Sequence, residues 1–175
     1  LVRSRGLGDV YKRQVFKITD KLDTPLDLYE HLPFQIAVVS NLLQLNRDLA
    51  IREIIELDPR ELRVILNIGS YMPIKAADIS YQARLDSYTV SRAVKVLNSL
   101  GMIETEQNTL NKKVKYLVLT EKGQDVYSRL CDVINKRTEV LEEVIEPSEK
   151  SLLMELLAKL EDKAETMLAS HAQTS

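Results

Sequence analysis

Side chains able to do covalent chemistry are scarce in this chain, whereas those able to hold a polyanion are grouped. Metal sites need clustered ligands, yet neither a His-x-x-x-His nor a Cys-x-x-Cys spacing occurs, and the two histidines, His31 and His171, stand near opposite ends. Cys131 is the single thiol, so an internal disulfide is impossible, and its position beside Leu130 on a helical face reads as a buried, inert thiol. No glycine-rich phosphate cradle is present. Paired carboxylates such as Glu142-Glu143 and Glu161-Asp162 fall in charge-rich helical runs, where a solvated face accounts for them. Neither catalysis nor a metal or cofactor is therefore expected. What remains is a set of hydroxyl, phenol and cationic groups at helical spacing. At about 100° per residue, Tyr88, Arg92, Lys95 and Ser99 share one side of a helix, flanked by Ser87, Thr89 and Ser91 near its amino end. Such groups can divide between phosphate oxygens and base edges in a DNA major groove, Ser87 and Thr89 suiting phosphate.

The elements that must position this face are legible on either side of it. Asp86 is placed to cap the helix, Val90, Ala93, Val94, Leu97 and Leu100 recur as its buried stripe, and Gly101 ends it. Upstream, Lys75 to Arg84 reads as a shorter helix, with Ala76, Ala77, Ile79 and Ala83 small enough for close packing and Leu85-Asp86 making the turn. Before that, Asp58-Pro59-Arg60-Glu61 is a helix start with cap, first-turn proline and capping box. Leu62, Val64, Ile65 and Ile68 bury that helix to about Ser70, and Met72-Pro73-Ile74 ends it. Downstream, a short strand near Met102 to Thr105 and an alternating one over Val114 to Leu119 enclose a polar tip from Gln107 to Lys113.

The runs Thr89-Val90-Ser91-Arg92, Leu97-Asn98-Ser99-Leu100-Gly101-Met102-Ile103 and Leu119-Thr120-Glu121-Lys122-Gly123 resemble the MarR family of winged helix-turn-helix transcription regulators. The likeness extends from about Pro33 to Leu168. It implies a mainly α fold with a small β-hairpin wing, a winged helix-turn-helix flanked by long dimerisation helices. It also implies a homodimer, most often a repressor, that places two recognition helices in successive major grooves of pseudo-palindromic double-stranded DNA. Many relatives are released by a small phenolic or other anionic effector bound between the dimerisation helices and the winged domain. In the family the wing carries an Asp-Arg pair; here Asn111-Lys112 stands in its place, followed by Lys113. Lysine can meet phosphate but lacks the planar fork of arginine, so a weaker, less shape-selective wing contact is expected from Asn111, Lys112 and Lys113.

The remaining chain divides accordingly. Residues 1–14 read as a non-native leader, and 15–57 as an arm followed by a dimerisation helix striped with Ile36, Val39, Leu42, Leu43, Leu49 and Ile54. Residues 58–123 form the DNA-binding domain. Residues 124–170 form two dimerisation helices, the first capped by Thr120 and the second by Ser148 after the break at Pro147, and 171–175 form a disordered tail. Leu152, Leu153, Leu156, Leu157, Leu160, Ala164, Met167 and Leu168 repeat along the last helix and call for a partner. A net charge of −2 hides a polarity. From Arg84 to Lys115 six basic side chains face three acidic ones, and from Glu121 onward seven face twelve, which suits a reading head on an acidic body. No run of about 18 apolar residues could span a membrane, and the cytoplasm is the expected location. The competing function is a winged-helix protein-interaction module that does not bind DNA.

Overall fold

The computed structural model describes residues 17–107 and 114–173, and the chain falls into two units, 1–44 and 45–175. In the first unit, α1 spans Leu32–Leu42, with Pro33 in its opening turn and the His31 Nδ1 accepting the Phe34 N–H at 3.3 Å. None of its residues is buried.

The single helical stripe expected from Pro33 to Ile54 is broken. Helix α1 stops at Leu42, a 3₁₀ turn covers Leu45–Arg47, and α2 spans Leu49–Ile54. The reason is local: Asp48 bonds the Ala50 N–H at 2.9 Å and so caps a new helix, a competition with the backbone ladder that short polar side chains commonly win. The phase shifts with it, burying Ile51 while Leu49 is 71% exposed. Helix α2 packs on the later helix Glu121–Glu142, and Asp48 faces Arg137 of that helix at 3.8 Å.

In the second unit, α3 spans Pro59–Tyr71 and carries the full capping box between Asp58 and Glu61, burying Leu62, Val64, Ile65 and Ile68. Helix α4, Ala76–Ala83, buries Ile79; Ala76 and Ala77 are exposed rather than packed. Helix α5, Ser87–Ser99, packs on both. Strand β1, Ile103–Gln107, pairs antiparallel with β2, Lys115–Leu119, with Ile103 opposite Leu119 and Gln107 opposite Lys115. Leu117 also exchanges two backbone bonds with Ile74, at 2.8 and 3.2 Å, which ties the hairpin to the segment leaving α3.

Helix α6, Glu121–Glu142, is capped by Thr120 and buries Val126 and Leu130. Cys131, expected to be buried, is half-buried. Helix α7 spans Pro147–Gln173. It begins one residue before the expected Ser148 cap, with the Glu149 carboxylate accepting the Glu146 N–H at 2.8 Å, and it continues past Ser170 into the segment expected to be a disordered tail. Its apolar seam from Leu152 to Leu168 is open, with leucine exposures from 39% to 72%. No helix among the described residues is long and apolar enough to cross a membrane.

Candidate nucleic-acid interface

Helix α5 is fixed from three sides before any ligand is considered. Val90, Ala93 and Leu97 are buried against α3 and α4. The Asp86 carboxylate accepts the Thr89 N–H at 2.8 Å and the Thr89 hydroxyl at 2.6 Å. These bonds, the hydroxyl first and the amide second, hold the Asp86 carboxyl below the ordinary carboxylate range. At the other end Gly101 adopts φ +70, and the exit is clamped by the chain that follows the wing. Thr120 donates its hydroxyl to the Gly101 carbonyl at 2.7 Å while accepting the Gly123 N–H, and Lys122 Nζ donates to the Leu100 carbonyl at 2.8 Å. Leu100 is the helix C-cap and is 38% exposed, not the buried end of the stripe.

The outward face carries Ser87, Tyr88, Ser91, Arg92 and Lys95, all exposed. Tyr88 is 70% exposed, and the Arg92 guanidinium lies 5.9 Å from its ring centroid, which pre-orients the cation without consuming its hydrogen-bond donors. Neither Arg92 nor Lys95 is ion-paired among the described residues. Two expected members of the face behave otherwise. The Thr89 hydroxyl is spent on Asp86, whose charge also occupies the helix's positive end, so Thr89 builds the helix rather than offering a phosphate donor. Ser99 donates to the Val96 carbonyl of its own helix at 2.7 Å. Asn111, Lys112 and Lys113 lie outside the described residues; the strand ends that carry them, Gln107 and Lys115, are exposed.

Arg84 belongs by sequence charge to the reading head, and the structure turns it elsewhere. It closes α4 with φ 51, donates to Glu161 at 2.8 and 3.1 Å, pairs with Glu165, and stacks over Tyr81 at 4.5 Å. A concavity of about 700 Å³ opens beside it between α3, α4 and α7. Its charged groups are Arg84, Glu161, Asp162 and Glu165. That lining opposes the phenolic or anionic effector implied by resemblance.

The winged helix DNA-binding domain family matches residues 57–123, the span from the residue before the Asp58 cap to Gly123. A crystal structure of a MarR/EmrR family transcriptional regulator from Acinetobacter sp. ADP1 superposes with a TM-score of 0.73 at 30% identity, over 81% of this chain and 99% of that one. The chain belongs to the MarR family of DNA-binding transcription regulators. A second MarR-family regulator, from Listeria monocytogenes and complexed with 26mer DNA, matches with a TM-score of 0.69 at 25% identity, over 77% of this chain and 89% of that one. Among curated proteins, an uncharacterised HTH-type transcriptional regulator of Staphylococcus aureus is 26% identical over 73 residues, 42% of this chain. The match spans half the length of that relative.

With the MarR fold in place, the Leu119-to-Gly123 run acquires a physical reading. A Cβ at Gly123 would run into the Met102 carbonyl oxygen, so only glycine lets α6 approach the base of the wing this closely. Sequence reasoning missed Ile74 as a partner of the wing and Arg84 as a partner of α7. A lone residue after a proline and one arginine in a turn carry no periodic signal that could have placed them.

Proposed function

We propose that this MarR-family chain is a sequence-specific, double-stranded DNA-binding transcription regulator. It acts in the cytoplasm as a homodimeric repressor of pseudo-palindromic operators and is released by a small-molecule effector. The observation that carries the reading is the outward face of α5, where Tyr88, Ser91, Arg92 and Lys95 project from a helix capped at both ends and the two cations have no acidic partner among the described residues. A helix held this way enters a major groove with Arg92 available to a guanine edge and Lys95 to phosphate. Ser87 adds a phosphate donor, and Asn111, Lys112 and Lys113 at the wing tip reach the adjacent backbone. The Listeria relative complexed with DNA supports the same use of the same fold. The open apolar seam of α7 supports the dimer, since a row of half-exposed leucines on one helix is covered by an equivalent row on a second copy. The concavity between α3, α4 and α7 is the effector site, placed where an occupant changes how the reading head sits on α7.

The test is selection of bound fragments from a random duplex pool, followed by titration of the selected site over a range of salt concentrations. An enriched palindromic motif and a steep fall of affinity with salt are expected, because phosphate contacts release counterions. Absence of both would move the chain to the alternative reading, a winged-helix module that binds protein.

A further inference from the structure

Arg84 shows what chemistry the concavity beside it accepts. Its guanidinium rests on the Tyr81 ring at 4.5 Å and is held by Glu161 and Glu165, which stand one helical turn apart on α7. An aromatic face with two carboxylates is a recognition set for an organic cation, and here a side chain of the protein occupies it. That occupant is replaceable, since the side chains of Arg84, Glu161 and Glu165 are 40–55% exposed and surface ion pairs of this kind are weak. The hydrogen bond to Glu161 raises the Arg84 pKa further, so deprotonation offers no release. The adjoining space holds Asp162 and a second, 58% exposed tyrosine, Tyr71.

We propose that this concavity binds a small planar organic cation, of the amidinium or aromatic amine class, which displaces Arg84 from Tyr81, Glu161 and Glu165. This deepens the effector reading given above and rests on it for its consequence. Arg84 closes α4 two residues before the Asp86 cap of the reading helix, so its displacement breaks the tie to α7 two residues from that cap. The occupant is a cation because an anion entering the same space meets three carboxylates and finds its one arginine already paired.

The experiment is isothermal titration of the full chain with 4-aminobenzamidine, a planar amidinium, and with benzoate as its anionic counterpart. The variants are Arg84→Ala and the double substitution Glu161→Gln with Glu165→Gln, each checked for fold by circular dichroism. Removing the internal competitor in Arg84→Ala should tighten 4-aminobenzamidine roughly fivefold, and the double glutamine variant should weaken it roughly tenfold, the scale of losing close charge partners. Benzoate should bind more weakly than the amidinium to the wild-type chain. The proposal is overturned if 4-aminobenzamidine binds neither the wild-type chain nor Arg84→Ala, if the double variant binds it as well as wild type, or if benzoate binds more tightly. Retention on the selected DNA is measured on the same samples. Cation binding as stated with no DNA retention would leave the cation site standing and remove the regulator reading, whereas steep DNA retention without cation binding would do the reverse.

Discussion

In the proposed reading, Arg92 on α5 and Lys112 of the wing divide the work of reading and holding DNA, and they can be separated experimentally. Arg92 is the guanidinium of the outward face, resting beside Tyr88 and without an ion pair among the described residues. If it forks onto a guanine edge, Arg92→Ala should cost about 1–3 kcal/mol at the preferred site and relax the preference at one position per half-site. Lys112 of the wing, without the family's ion-paired arginine, should act through phosphate. Lys112→Ala should therefore weaken all sequences alike and lower the salt slope by roughly one per subunit. Titrations against the selected site and single-base variants distinguish the two, and a change of base preference in Lys112→Ala but not in Arg92→Ala would reverse the assignment. Asp86 contributes differently, by building the helix. Its carboxyl lies below the ordinary value in the folded chain because the Thr89 hydroxyl and amide bond the charged form. A lowered native pKa means stability that is complete above the unfolded value of about 3.9 and is lost as pH falls through the native one. Asp86→Ala should thus melt below wild type at neutral pH, with the gap closing in acid; a gap that stays constant with pH would contradict the assignment.

At the scale of elements, the exit of α5 and the start of α6 form one joint, in which two glycines do different things. Gly101 takes a positive φ with open space around its missing side chain, and Gly123 takes an ordinary backbone with the Met102 carbonyl where a Cβ would be. Gly101→Asn should be tolerated, since asparagine accepts the left-handed region. Gly123→Ala should destabilise the chain by about 1–3 kcal/mol through a backbone clash that no rotamer relieves. Denaturant midpoints of the two variants settle the contrast, and equal loss at both positions would refute it. Much of this architecture is legible in the sequence because helix starts are written locally. Asp58, Asp86 and Thr120 cap the helices they were expected to cap, and the buried side of α3 is the expected four residues. What was not legible depends on competition or distance. Periodicity runs through Leu42 to Ile54 without notice of the Asp48 cap, which wins by a single hydrogen bond to Ala50. Arg84 finds Glu161 77 positions away, beyond any local pattern.

At the scale of the whole molecule, the deciding feature is surface without cover. Buried apolar side chains in the described second unit gather between α2, α3, α4, α5, the hairpin and the first half of α6, ending at Leu130. Beyond that point α7 contributes nothing to the buried core, although Leu152, Leu153, Leu156, Leu157 and Leu160 lie on it within three turns. A helix of this length, about 40 Å at 1.5 Å per residue, gains little stability from its own hydrogen bonds in water and needs its apolar face packed. In the proposed homodimer a second copy packed on it would supply that cover and link two reading heads, so that the second half-site would be bound at an effective concentration in the millimolar range rather than from bulk solution. Removing residues 148–175 should therefore have a paired effect. The truncated chain should sediment as a monomer, and its affinity for the palindromic site should fall to that of a single half-site. Its core from α2 to α6 should still melt cooperatively, because none of the buried residues lies on α7. Sedimentation of the truncated chain as an intact dimer would place the dimer interface elsewhere. Loss of the cooperative transition would show that α7 supports the reading head directly, with the Arg84 contact to Glu161 and Glu165 as the bond to examine first.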